Sequence, residues 1–303
     1  MRTWWSAPAA VALLVLAACG GQNPPGAATT APPTSSPSGT ATPAAPAAPT
    51  TPSPSTARST TGTPARPPTT APRTTRPQPG KTTASPTSPT TALPAALRGR
   101  VLTVLPTSRR VVALTFDGGA GSQGAPSILG TLRAQGVPAS FFVTGRFAQT
   151  NPGTTRQMAA LGPVGNHSVS HPDFTTLSET ALTSELSTAR AAIMAATGKD
   201  PRPYFRFPFG AYDTRALGLV NARGYGAIGW TTDSLGWKGT SGGMSTDAVV
   251  SRVLAGRTPG QIVLMHVGAN PDDGTTLDAA ALPRIIDGYR ANGYAFVTLD
   301  VLR

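Results

Sequence analysis

From residue 101 onward the chain alternates between short apolar runs and longer stretches with helical spacing. Seven runs read as strands: 111–117, 140–144, 163–167, 204–209, 226–230, 261–267 and 294–299. The first, Val111-Val112-Ala113-Leu114-Thr115-Phe116, is an apolar run of β-branched and aromatic character that ends in Asp117 and glycines. That is the pattern of a buried parallel strand with a carboxylate at its C-terminal end. Between the runs, Ile128, Leu129 and Leu132 share one helical face. Ser178 is a good N-cap for a helix over 180–197 carrying Leu182, Leu186, Ala189 and Ile193, closed by Gly198. Asp213 caps a helix through Val220, and Asp278 opens another that holds Leu282, Ile285, Ile286 and Tyr289. Strands alternating with helices predict a parallel α/β fold. About 200 residues are enough to bury one core of their own.

The pattern fails upstream. Residues 20–97 are almost entirely Thr, Pro, Ala, Ser and Gly, with no aromatic residue and no acid. Such a segment buries nothing to offset its chain entropy and reads as a disordered, semi-rigid stalk. Before it, Met1-Arg2 and the apolar stretch ending Leu14-Val15-Leu16-Ala17-Ala18 form a secretory signal. The apolar run falls short of the roughly 20 residues a membrane span needs. Leu16-Ala17-Ala18-Cys19 resembles the bacterial lipobox. The expected organisation is a lipoprotein signal over 1–18, lipidated Cys19 and linker over 19–97, and a folded domain over 98–303. The product would be anchored to the membrane outside the cytoplasm and would reach into the cell wall. Cys19 is the only cysteine, so no intramolecular disulfide is available.

Charge changes this picture little. The residues before Arg109 carry +8 of the formal +12, and no acid precedes Asp117. These cations are sparse and lack interleaved aromatics, so nucleic acid is not an expected partner. A tethered monomer is the default.

Candidate chemistry gathers at the strand ends. Asp117 ends the first, and Asn166-His167-Ser168-Val169-Ser170-His171 follows the third. Two neutral imidazoles four residues apart at a strand end can reach one divalent metal. Arg206 lies inside Tyr204-Phe205-Arg206-Phe207-Pro208-Phe209, where it would be costly unless paired with a buried carboxylate. Asp117 is the available partner. Next come Asp233-Ser234-Leu235-Gly236-Trp237 and, at the end of an apolar strand, Leu264-Met265-His266.

The ordered set TFD-G-G, H-S-x-x-H, R-F-P-F-G, D-S-L-G-W and L-M-H resembles the NodB-homology polysaccharide deacetylases, carbohydrate esterase family four, over residues 109–301. The resemblance implies a distorted (β/α) barrel of about seven parallel strands and metal-dependent removal of acetyl groups from amino sugars. It implies Asp117 as general base, Arg206 orienting it, and His167 and His171 as ligands to a divalent metal, Zn²⁺ first and Co²⁺ as the alternative. Ser168 would brace the histidine loop and the Phe209 N–H would hold the oxyanion. Leu264 and Trp237 would line the acetyl pocket, with Asp233 supporting, and His266 would act as general acid. The expected substrate is an extracytoplasmic N-acetylated glycan, peptidoglycan or another N-acetylglucosamine polymer.

Two positions depart from the family pattern. Gly118 stands where the family usually carries a second Asp as third metal ligand. Asp117, Asp173 or Asp233 could take that place. Gly236 stands where members often carry an Asp that tunes the acid histidine. The first departure keeps open a catalytically weak or inactive glycan-binding protein on the same fold. An O-acetyl esterase acting on a wall polysaccharide is a further alternative.

Overall fold

The computed structural model describes residues 93–303 apart from 120; the signal segment, Cys19 and linker residues up to 92 lie outside the described residues. Nine strands form one sheet: β1 (Val101–Leu102), β2 (Val111–Gly118), β3 (Ser140–Val143), β4 (Val164–Asn166), β5 (Tyr204–Phe205), β6 (Gly226–Ile228), β7 (Thr232–Asp233), β8 (Gln261–His266) and β9 (Ala295–Phe296). Their order is β1-β6-β5-β4-β3-β2-β8-β7, with β9 added to β2, and every ladder is parallel.

The sheet curls into a distorted barrel. The segment 102–105 draws its ends together between β6 and β8. Gly229 donates to the Leu102 carbonyl at 2.8 Å, Leu105 donates to the Gly260 carbonyl at 2.8 Å, and Val104 makes an antiparallel bridge to Gln261.

Among the described residues seven α-helices pack around it: α1 (Ala125–Ala134), α2 (Gly145–Thr150), α3 (Pro152–Ala159), α4 (Glu179–Thr197), α5 (Thr214–Ala222), α6 (Thr246–Ala255) and α7 (Leu277–Ala291). The expected caps are in place. Ser178 Oγ accepts from Ala181 N–H at 3.2 Å, Asp213 Oδ1 accepts from Ala216 N–H at 2.6 Å, and Gly198 ends α4 at φ 72°.

The period-two alternation of β2 decides what faces the site. Val112, Leu114 and Phe116 join the core under the helices, whereas Val111 and Ala113 join the core inside the barrel. Thr115 and Asp117 continue that inner face, and both are held by Arg206. Because all ladders run parallel, Asp117, the histidines after β4 and His266 emerge at the same end of the barrel.

Several expectations are corrected. The barrel has two strands more than the seven runs; β1 and β7 are two residues each, too short to leave a hydrophobic period. The run 204–209 pairs only over Tyr204–Phe205, and the chain then turns through Pro208–Gly210, where Pro208 cannot donate and Phe209 sits at φ 58°. Helices α2, α3 and α6 were not expected. Asp278 does not cap α7, which begins at Leu277; its carboxylate is buried and turned to β8. The folded unit also starts before Arg98, because Leu97 is fully buried with Leu102, Tyr204 and Ile228. Burial of such a leucine contributes about 1.5–3 kcal/mol.

Candidate active site

Arg206 is fully buried, and every nitrogen of its guanidinium has a partner. Nη1 donates to Asp117 Oδ1 at 2.6 Å, Nη2 to Thr115 Oγ1 at 2.9 Å and to the Gly229 carbonyl at 3.1 Å, and Nε to the Ile228 carbonyl at 3.2 Å. Its face lies 4.1 Å from the Phe142 ring centroid. A buried charge is tolerable only when paired and hydrogen-bonded in this way. Burial acts to raise the Asp117 pKa, but Arg206, helped by His167 and His266, outweighs it and holds the carboxyl below its ordinary value. Asp117 is therefore ionised at neutral pH.

The histidine loop leaves β4 and folds back over Asp117. His167 Nδ1 lies 2.8 Å from the Arg206 carbonyl, which can only accept, so Nδ1 carries the proton and the Nε2 lone pair is open. Nε2 faces Asp117 Oδ2 at 3.5 Å. The His171 ring stands edge-on to His167, with centroids 4.8 Å apart. Burial pushes His167 down to about 4 and also lowers His171, so both rings are neutral at pH 7. Ser168 Oγ accepts from the His171 N–H at 3.0 Å. The loop is fixed from outside by Glu185 on α4, whose carboxylate accepts from Val169 N–H, Ser170 N–H and Ser170 Oγ at 2.6, 3.0 and 2.8 Å.

His266 ends β8 directly beside Asp117 in the β2–β8 register. Burial acts to lower its pKa, but the carboxylates of Asp278, Asp117 and Asp233 outweigh burial and raise it. These groups open onto a cleft of about 840 Å³ that is also lined by Phe209, Trp230, Asp233, Trp237 and Leu264. Phe209 is 70% exposed, packs edge-on to His171 at 4.5 Å between centroids, and its N–H has no hydrogen-bond partner among the described residues. Asp233 accepts from Leu235 N–H at 2.8 Å and from Trp237 Nε1 at 3.3 Å, fixing the rim. The four non-glycine residues with positive φ among the described residues are Ser168, His171, Phe209 and Leu235, all in these loops. Each such backbone costs on the order of 1–3 kcal/mol, and strain of that kind collects at functional sites. A larger cavity of about 1040 Å³ lies at the opposite end, around Pro163, Lys199, Pro203 and Arg303, and holds no histidine.

The polysaccharide deacetylase family model matches residues 105–228. A chitooligosaccharide deacetylase from Sinorhizobium fredii is 33% identical over 196 residues, spanning 62% of this chain and 89% of that protein. The chain belongs to the polysaccharide deacetylase family. The peptidoglycan-N-acetylglucosamine deacetylase PgdA of Listeria monocytogenes is 35% identical over 197 residues, which are 65% of this chain and 39% of that longer protein. Among solved structures, a CE4 family pseudoenzyme from Bacillus anthracis superposes with a TM-score of 0.61 at 28% identity, covering 68% of this chain and 69% of that one. A mutant of it is described as having restored enzymatic activity.

Members of this family use a divalent metal, and two features of the chain fit one. His167 and His171 are neutral, and the bond from His167 Nδ1 to the Arg206 carbonyl leaves His167 Nε2 free to coordinate. The donor set is nonetheless open: among the described residues no group of three His, Cys, Asp or Glu is gathered closely enough to enclose an ion. At Gly118 an added Cβ would lie 3.2–3.4 Å from Val143, Val267 and Phe147, in apolar surroundings. Of the three acids that could replace its missing carboxylate, Asp173 is bonded to Thr175 instead, whereas Asp117 and Asp233 do line the cleft.

Three supporting residues escaped the sequence reading. Thr115 was legible, since it shares Asp117's face two residues earlier. Glu185 lies mid-helix and Asp278 twelve residues beyond His266; nothing local marks either.

Proposed function

We propose that the chain removes N-acetyl groups from an extracytoplasmic glycan built on N-acetylglucosamine, with peptidoglycan as the first candidate substrate. The observation that carries this reading is the pairing of an ionised, Arg206-held Asp117 with His266 across one strand register, at the mouth of a cleft that also presents two neutral imidazoles.

In this reading Asp117 takes a proton from water as the water oxygen bonds to the acetyl carbonyl carbon. The free Phe209 N–H holds the developing oxyanion. A divalent ion on His167 and His171, Zn²⁺ or Co²⁺, supplies Lewis-acid polarisation of the carbonyl when bound. As the C–N bond breaks, His266 gives its proton to the departing nitrogen, because an unprotonated amine is a poor leaving group. Acetic acid and free amine result; the acid loses its proton to solvent, and the proton on Asp117 passes through solvent to His266, which restores both groups. Leu264 and Trp237 bound the acetyl group. The named activities of the Sinorhizobium and Listeria relatives support a glycan N-acetyl substrate. The apolar leader ending at Cys19 supports a lipid anchor that holds the domain at the outer face of the membrane, beneath or within the wall. Substitution Cys19→Ser should release the protein from the membrane fraction.

The deciding assay is acetate release from N-acetylglucosamine oligomers and from peptidoglycan, with Zn²⁺ or Co²⁺ added. Release that disappears in His266→Ala supports the reading, and none from either substrate overturns it. Gly118 and the likeness to a pseudoenzyme favour a second reading, glycan binding without turnover. Binding of the same oligomers by a wild type that releases no acetate would establish it.

A further inference from the structure

Among the described residues, two buried side-chain polar atoms lack a hydrogen-bond partner, and they belong to neighbouring residues: Nδ1 of His266 and Oδ1 of Asp278. Nδ1 lies 3.7 Å from the other Asp278 oxygen, Oδ2, which also accepts the His266 backbone N–H at 2.8 Å. A buried carboxylate oxygen with nothing to accept is costly, so a donor is expected to meet it in a working state of the protein. Asp278 is 3% exposed and comes from the first turn of α7. Across from it is Gly236: a Cβ built there would lie 2.3 Å from Asp278 Oδ1 and 2.6 Å from its Cγ. The space that a side chain at 236 would need is occupied by the Asp278 carboxylate.

We infer that Asp278 is the positioning residue for His266, its carboxylate delivered from α7 into the volume that Gly236 leaves empty. The inference rests on His266 being the proton donor of the deacetylation proposed above. Asp278 fixes the ring through the backbone N–H, accepts Nδ1–H of the imidazolium, and leaves Nε2–H for the departing amine. The 3.7 Å gap closes when the ring is charged, since a charge-assisted N–H···O bond is about 2.7–2.9 Å long. Three acids face His266, namely Asp117 from β2, Asp233 from β7 and Asp278 from α7; His171 opposes them. Asp278 alone bonds the His266 backbone.

The experiment is NMR titration of His266 in the full domain labelled with ¹³C-histidine, beside steady-state acetate release, in four proteins: wild type, Asp278→Asn, Asp278→Glu and the transfer variant Gly236→Asp/Asp278→Ala. Asp278→Asn should lower the His266 midpoint by about one unit or more and kcat by roughly 10- to 100-fold. KM should stay within about twofold, and the alkaline limb of the kcat profile should move to lower pH. The transfer variant should recover most of the midpoint and of kcat, which a merely structural residue would not allow. An unchanged midpoint with full kcat in Asp278→Asn overturns the inference. Should Asp278→Asn fail to fold, the transfer variant and Asp278→Glu decide: a raised midpoint supports the pairing, and a midpoint at or below the ordinary 6.5 overturns it. A wild type that releases no acetate, with a midpoint that still falls in Asp278→Asn, overturns the deacetylase reading and leaves the pairing standing.

Discussion

Two acid–base pairs stand side by side at the top of this barrel, one buried on both sides and one whose histidine opens to the cleft, and they are built differently. Asp117–Arg206 is saturated in the sense that every guanidinium nitrogen has a partner: the contact is 2.6 Å, and Thr115, Ile228 and Gly229 accept from the other two nitrogens. His266–Asp278 is incomplete, 3.7 Å apart with an unmatched atom on each side. A saturated pair fixes one protonation state, and low dielectric strengthens it further. An incomplete pair leaves a state to be gained when a proton arrives. The difference matches the two tasks of amide hydrolysis: a base that must be ionised before substrate arrives, and an acid that must give its proton up.

The comparison breaks most visibly at Asp117. Asp117→Asn should lower kcat for acetate release by about 10²–10⁴, since it removes the base while keeping its shape. Arg206→Met should do comparable damage by a different route. It leaves the Asp117 carboxylate buried without a partner, a loss of about 3–5 kcal/mol that urea unfolding will register. Removing Asp278 should have a smaller effect than either on stability.

The histidines beside the two acids, His167 facing Asp117 and His266 facing Asp278, should show opposite pH behaviour in chelator-treated protein. The folded pKa of His167 lies near 4, below the ordinary 6.5, so between those values the unfolded chain binds the extra proton. Stability should therefore fall, by on the order of 2–3 kcal/mol, as pH drops from about 6.5 toward 4. The folded pKa of His266 is raised, so its contribution is full below 6.5 and is lost as pH rises through the folded value. Urea midpoints across pH 4–9 should flatten on the acid side in His167→Gln and on the alkaline side in His266→Gln. A slope on the acid side that survives His167→Gln would remove that assignment.

What the sequence made legible follows from locality. Mostly apolar runs leading into Asp117 and His266, and a shorter one leading into His167, mark parallel strands and the end from which they point, so the fold class and the strand-end residues could be read directly. Arg206 required a carboxylate by charge alone, and the partner was found. Short-range capping likewise placed α4 and α5 to within a residue or two. Pairs made across the barrel left no such trace. Asp278 has the local appearance of a helix-opening acid, and only the packing of α7 on β8 turns it toward His266. The two-residue strands β1 and β7 carry no period to detect. Ser245 does cap α6 through Ala248 N–H at 3.1 Å, so that helix carries a local signal of its own.

Gly118 sharpens the comparison at the metal position. An aspartate there would put a carboxylate among Val143, Val267 and Phe147, which is unfavourable unless a cation meets it. Gly118→Asp should thus lower the Tm of the chelated domain by a few degrees and regain it on adding Zn²⁺, because a ligand bound only by the folded state stabilises it. Zn²⁺ affinity by calorimetry should tighten about tenfold or more, since a carboxylate adds a third protein donor. Equal affinity in wild type and variant would mean that another group already completes the site.

The smallest expected effect lies one layer out, at Glu185. Its carboxylate holds the backbone of Val169 and Ser170, between the two strained residues Ser168 and His171, and so sets where the second imidazole stands. Glu185→Gln keeps an acceptor oxygen but removes the charge that strengthens two backbone bonds, a change of about 1–2 kcal/mol confined to the loop. Because β4 holds His167 directly and the loop alone holds His171, the variant should loosen Zn²⁺ by roughly three- to tenfold while the Asp117–Arg206 pair, and with it global stability, stays within about 1 kcal/mol. Loss of affinity with stability kept would place the control of the second histidine in α4. Loss of both in proportion would show that the loop and the barrel unfold as one unit, and that the division between a fixed pair and an adjustable rim does not hold.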